Sequence, residues 1–193
     1  MNQFSSSSAS PQPARSFDSL RVRSFQAADR PAVLRLHAAA APAGSVDCDC
    51  AMRIDQIEER YFGRPQDHFW VAEAEGQIVG TVGICVHDGN VAHLGCLRAA
   101  DDSANHLVRK ALVHAAASHA YDHGCLKLVV HAQVDIERAS EFLHRLGFEF
   151  SRQREVANRP VLEFYLNLYE RPELGCMILP PPPIQQSMST FRA

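Results

Sequence analysis

At 193 residues with 46% apolar side chains, the chain is long enough for one α/β domain with a proper core and short for two domains joined by a linker. A formal charge of −3 and a sequence pI near 6.3 build no broad cationic field, which argues against nucleic acid or an anionic membrane surface and toward a small molecule or a protein as partner. No run reaches the roughly eighteen apolar residues of a membrane-spanning helix, so no transmembrane segment is expected.

Residues 1–19 are rich in serine and proline, carry no apolar core for a signal peptide, and are expected to form a disordered arm. Arg15 alone supplies too little positive charge for an organelle transit peptide. From Leu20 to Phe25 the chain alternates as a strand, and Asp29 followed by Pro31 reads as an N-cap and first-turn proline for a helix through His37. Arg53 to Phe62 reads as a second helix with Ile54, Ile57 and Tyr61 on one face. Three strands follow as an antiparallel meander: His68 to Glu75, Gln77 to Val86, and Val91 to Arg98. Ser103 to His123 is the longest helix candidate, with Leu107, Val108, Ala111, Leu112, Ala115 and Ala116 at helical spacing and Gly124 as its stop. Cys125 to His131 is apolar at its centre, as a strand buried on both faces should be. Ile136 to Leu146 is the last helix, and Phe148 to Val156 and Val161 to Leu168 are the closing strands. After Tyr169 a run of four prolines, Pro180 to Pro183, suits an extended polar tail over 170–193.

Six cysteines are scattered, and Cys85, Cys96 and Cys125 fall inside apolar runs where a thiol behaves as a small buried hydrophobe. A reducing, cytoplasmic setting is the simpler expectation. Cys48 and Cys50 lack a second ligand pair at finger spacing, and His119 and His123, four apart on one helix, lack the supporting glutamate and third ligand of a metal helix. No metal is expected. Trp70, between Phe69 and Val71, reads as core; Gly80 and Gly83 read as a bulge or a close helix contact.

The order strand, two helices, three strands, helix, strand, helix, two strands over 20–169, together with Ala139, Phe142, Gly147 and Phe148 at the end of the last helix, resembles the Gcn5-related N-acetyltransferase (GNAT) family. The resemblance implies a mixed, mostly antiparallel α/β sheet of six to seven strands flanked by about four helices. It also implies acetyl-CoA as co-substrate. In the family the strands before and after the long helix splay apart and expose backbone to the pantetheine arm; Leu94 to Arg98 and Leu128 to His131 occupy those places. The coenzyme pyrophosphate then rests on the first amides of the long helix, here Ser103, Ala104, Asn105, His106, Leu107 and Val108. Where the family pattern has glycines this chain has Ala104 and His106, and where it often has an asparagine and a general-acid tyrosine this chain has Ile136 and Leu143.

Direct acetyl transfer asks for a neutral amine, a polarised thioester carbonyl and a route for protons. A backbone N–H near Leu97 or Arg98 would polarise the carbonyl. His93 and Glu73 are the candidates to deprotonate the amine and His131 to act as acid, since Leu143 cannot protonate a departing thiolate. The function expected is acetyl transfer to a primary amine of a small molecule or peptide. The alternative is a catalytically silent domain of this fold serving as a ligand-binding or protein-interaction module. Neither nucleic acid nor membrane is expected as partner, and a homodimer is left open.

Overall fold

Seven extended segments pair into one sheet: β1 (Arg21–Ser24), β2 (His68–Ala74), β3 (Gln77–His87), β4 (Val91–Ala99), β5 (Lys127–Ala132), β6 (Glu149–Val156) and β7 (Arg159–Asn167). The structure is a computed structural model that describes residues 19–38, 54–87, 90–100, 105–132, 136–156 and 159–169. Spatial order is β1-β2-β3-β4-β5-β7-β6, antiparallel throughout except where β4 lies parallel to β5. The helices are α1 (Arg30–Ala38), α2 (Ile57–Tyr61), α3 (Asn105–Asp122) and α4 (Ile136–Arg145), with 3-10 turns at Ala27–Asp29 and Ile54–Gln56. The expected sheet of six to seven strands with about four helices is thus seven strands and four α-helices among the described residues. The expected arms at 1–19, apart from Ser19, and at 170–193, the Cys48 and Cys50 pair, and Ser103 and Ala104 lie outside those residues.

Strand alternation sorts side chains onto two faces. On one, Val82, Leu94, Leu128, Val130 and Phe164 meet Val108, Leu112, Ala116 and Ala120 of α3 and Leu143 of α4. On the other, Phe69, Val71, Cys85 and Cys96 meet Phe25 after β1, Val33 of α1, and Ile57 and Tyr61 of α2. Each such aliphatic or aromatic side chain contributes about 1.5–3 kcal/mol when fully removed from water, so the sheet is fixed from both sides. Trp70 packs in the α3 core, as its neighbours suggested.

Two local expectations change. The first helix starts a turn early, in the 3-10 segment, so Asp29 is not its N-cap. Its carboxylate instead accepts the backbone N–H of Gln26 at 2.8 Å and closes the turn from within. On α3 the buried stripe begins at Val108 while Leu107 is 52% exposed, because the helix is rotated to set Val108 against Gly80. The stop signals held. After α4, Gly147 takes φ +85° while its N–H reaches the His144 carbonyl and that of Phe148 reaches the Leu143 carbonyl, the paired bonds that a left-handed residue allows.

Candidate active site

The β4–β5 ladder is short. Parallel pairing joins Val91–Leu94 to Lys127–Val130 and ends there, although β4 runs on to Ala99 and β5 to Ala132. The cause lies in β4 itself. Thr81 of β3 pairs with Arg98 and Gly83 with Gly95, so Val82 alone opposes both Cys96 and Leu97. That is a bulge, which bends the strand and leaves one of its residues without a ladder partner. Cys96 holds φ +52°, a conformation uncommon for a residue with a Cβ.

The surroundings hold this distortion in place. Thr81 Oγ1 donates to the Cys96 carbonyl at 2.8 Å, and His37 Nε2 of α1 is 2.9 Å from the same hydroxyl. With the Thr81 proton spent on Cys96, His37 is the donor in that second bond. Tyr61 of α2 puts its hydroxyl 3.3 Å from Cys96 Sγ. The ring reaches that far because Gly83 has no side chain: a Cβ there would lie 2.5 Å from Tyr61 Cε1. Gly80 and Gly83 therefore serve both expected uses, beside a bulge and under a helix.

Beyond the parting of the strands lies the start of α3. Val108 is buried against Gly80, and Gly80 pairs with Ala99 at the end of β4. The first turn, Asn105 to Val108, carries backbone N–H groups with no partner inside the helix. Val108 turns its side chain to the core, so only its amide is offered. The His106 ring meets Phe142 of α4 edge-on at 6.2 Å, and the Arg109 guanidinium lies 5.6 Å over the same ring. The sequence reading missed Arg109. Leu97 and Arg98 are both buried, on opposite faces, at the bulge. Leu143 is wholly buried in the α3–α4 core, so the position of the family tyrosine is occupied here by packing.

Of the three expected catalytic side chains, the fold brings two together. His93 sits one residue before the last β4–β5 pair and His131 one residue after it, on the face that carries α1 and α2, with ring centroids 5.7 Å apart. His131 faces Glu163 of β7, its register partner. Arg154 Nη2 lies 2.7 Å from His131 Nε2 and 2.9 Å from Glu163 Oε2. His131 Nε2 is also 3.2 Å from Glu163 Oε2, so it sits between a guanidinium that only donates and a carboxylate that only accepts, and its own role follows the ring tautomer.

Glu163 also accepts from Arg152 at 3.1 and 3.2 Å and from Ser151 at 3.2 Å. Burial pushes its carboxyl pKa up, but the bonds led by Arg152 pull it further down, below the usual glutamate value. Neither Glu163 nor the two arginines stood out in the sequence.

Glu73, the other expected base, is elsewhere. It lies on β2, two strands from β4, and accepts from Arg23 Nε at 2.8 Å, while Arg23 clasps Asp29 with both terminal nitrogens at 2.6 and 2.9 Å. The hydrogen bonds from Arg23 hold Asp29 below the ordinary aspartate pKa. These groups line a hollow of about 610 Å³ between α1 and the β2–β3 turn. Arg23 holds both carboxylates, and the hollow is away from the strand split.

Comparison with known proteins agrees with this geometry. The family model described as the acetyltransferase (GNAT) family matches residues 31–148, over half of the chain. No curated protein matches. Among solved structures, a GNAT-family acetyltransferase from Staphylococcus aureus Mu50 shares 16% identity, with 78% of this chain and 99% of that one covered and a TM-score of 0.65. YncA from Salmonella typhimurium, solved with its cofactor acetyl-CoA, shares 17% identity over 80% of this chain and 97% of its own, with a TM-score of 0.61. A ribosomal-protein-alanine N-acetyltransferase from Brucella melitensis shares 21% identity over 77% and 99%, with a TM-score of 0.59. These likenesses are of fold.

Proposed function

The chain belongs to the acetyltransferase (GNAT) family, and from that premise we propose that it is an acetyl-CoA-dependent N-acetyltransferase that moves an acetyl group directly onto a primary amine of a small molecule or peptide. The observation that carries this reading is the parting of β4 from β5 after Leu94 and Val130, with His93 and His131 at the fork. From Gly95 onward β4 has no ladder partner on β5, and the first turn of α3 stands beyond. The residues present suit the coenzyme: amides of Asn105, His106, Leu107 and Val108 would receive the pyrophosphate, with Ser103 and Ala104 just before them. Arg109 flanks that place and supplies positive charge, and the His106 ring stands where the family has a glycine.

His93 takes the proton from the acceptor ammonium, directly or through one water, leaving a neutral amine. The amine attacks the thioester carbonyl, whose developing oxyanion is met by the backbone N–H of Leu97 or Arg98, held in position by the bulge. Collapse breaks the carbon–sulfur bond. The attacking nitrogen sheds its second proton to water, and the thiolate is protonated by His131 or by solvent, because Leu143 has no proton to give. His131 orients the arginine beside the reacting amine, and Glu73 anchors Arg23 outside this group. We further propose residues 20–169 as the catalytic unit, with arms at 1–19 and 170–193, working in the cytoplasm. Among the described residues no helix is long and apolar enough to cross a membrane.

Thermal unfolding in the presence of acetyl-CoA tests the premise. A ligand at a hundred times its dissociation constant adds about 2.7 kcal/mol to native-state stability. The expected result is a rise in Tm that saturates with coenzyme, and release of free thiol when an amine is added. No rise at millimolar acetyl-CoA ends the enzyme reading and leaves the silent domain.

A further inference from the structure

Resting on the reading above, we propose that the acceptor carries a carboxylate close to its reacting amine, and that Arg152 and Arg154 receive it. On the face that holds His93 and His131, among the described residues, α1 and α2 pack mainly over β2, β3 and β4. Across β6 the same face is open, with Ser151, Arg152 and Arg154 exposed. Two guanidiniums there share one carboxylate, Glu163, which leaves one positive charge over. Their side chains are 60% and 43% exposed while Glu163 is 11% exposed, so the outward N–H groups of both arginines point to solvent. Each guanidinium has five N–H donors in a planar fork, more than Glu163 uses, and that fork matches a carboxylate.

Neighbouring groups do not cancel the charge. Glu149, the other carboxylate on this face, accepts the Tyr165 hydroxyl at 2.5 Å, and Lys127 lies 4.9 Å over the Tyr165 ring. Glu155 is the next residue after Arg154 and alternation turns it to the opposite face. The anion site and the fork of β4 and β5 are linked through His131, which touches Arg154 at 2.7 Å and lies 5.7 Å from His93 ring to ring. One small amino acid can therefore place its amine at His93 and its carboxylate on the arginines. The same surplus charge rejects polycationic acceptors such as polyamines, since like charges would meet at the mouth.

The test compares glycine, β-alanine and γ-aminobutyrate with their carboxamides and with spermidine. Acetyl-CoA-dependent thiol release gives kcat/KM, and calorimetry gives binding without turnover. The expected result is a preference for at least one acid over its amide of roughly ten- to a hundredfold, the worth of a charge-assisted hydrogen bond. R152Q and R154Q should each remove most of it through KM with kcat little changed, R154K should restore part, and R145Q, an exposed cation on α4, should alter nothing. Amides accepted as well as acids, or spermidine preferred, would overturn the proposal. If acetyl-CoA binds but no amine is acetylated, the transferase reading fails instead, and calorimetry decides this one. An acid bound more tightly than its amide, with the difference abolished in R152Q/R154Q, upholds it. Equal binding, or none, rejects it.

Discussion

His93, the base proposed here, and Glu73 lie in different surroundings. His93 stands at the fork, whereas Glu73 is committed to Arg23 two strands away. H93Q should lower kcat by about 10²-fold or more, the contribution of a positioned general base, and should flatten the rise of kcat/KM with pH. E73Q should keep most of the rate while losing stability, because Arg23 then retains Asp29 alone. Steady-state kinetics across pH together with urea melts distinguish the two. An H93Q enzyme at full rate would remove this histidine from the mechanism. Both residues carry chemistry on a strand, and nothing local told them apart: the deciding partner of Glu73 is 50 positions away.

The bulge of β4 is the element on which the site depends. Its conformation is over-determined by Thr81 beneath it, Tyr61 beside it and His37 from α1. T81V keeps the shape of the side chain and leaves the buried Cys96 carbonyl without its donor, which costs about 1–3 kcal/mol. The variant should also lose activity beyond that expected from stability, since the Leu97 and Arg98 amides shift with the bulge. Chemical denaturation and single-turnover acetyl transfer measured on the same preparation check both parts. Unchanged stability in T81V would mean that the strand bends for another reason. Periodicity located β4 within a residue of its observed end, yet it carried no sign of the bulge. An extra residue is visible only against the register of β3.

At the scale of the whole molecule, acid should unfold this protein in two stages. His68, His114 and His119 have pKa values below the ordinary 6.5, first because of burial and, for His68 and His119, because neighbouring histidines repel a second charge. The His68 and His119 rings lie 5.1 Å apart and those of His119 and His123 4.0 Å apart, beside Trp70. Below pH 6.5 the unfolded chain binds protons that the native rings refuse, so stability falls as pH drops through that value and keeps falling to the folded pKa values. Glu163 and Asp29 shift downward and act lower: their stabilisation is present above the ordinary values of 4.5 and 3.8 and is lost as pH falls below them. Tm recorded from pH 8 to pH 3 should therefore decline first near 6.5. H119Q should flatten that first decline and leave the second, and a flat Tm between pH 7 and 5 in the parent protein would contradict the assignment.

What the amino-acid order determined by itself was the succession of elements, because helical and strand periodicity, the glycine stops after α3 and α4 and the apolar centre of β5 act over a few residues. The packing positions Ala139, Phe142, Gly147 and Phe148 could be matched to a family for the same reason. Tertiary structure alone sorted the ten histidines, bringing His93 and His131 together and setting His68 of β2 against His119 of α3. It also gathered Arg152, Arg154 and Glu163 around one ring and gave Glu73 to Arg23. Partnership of this kind depends on which strand lies beside which and in what register, and those pairings run from 9 residues of chain for Arg154 and Glu163 to 51 for His68 and His119, mostly beyond the range over which propensity and spacing act.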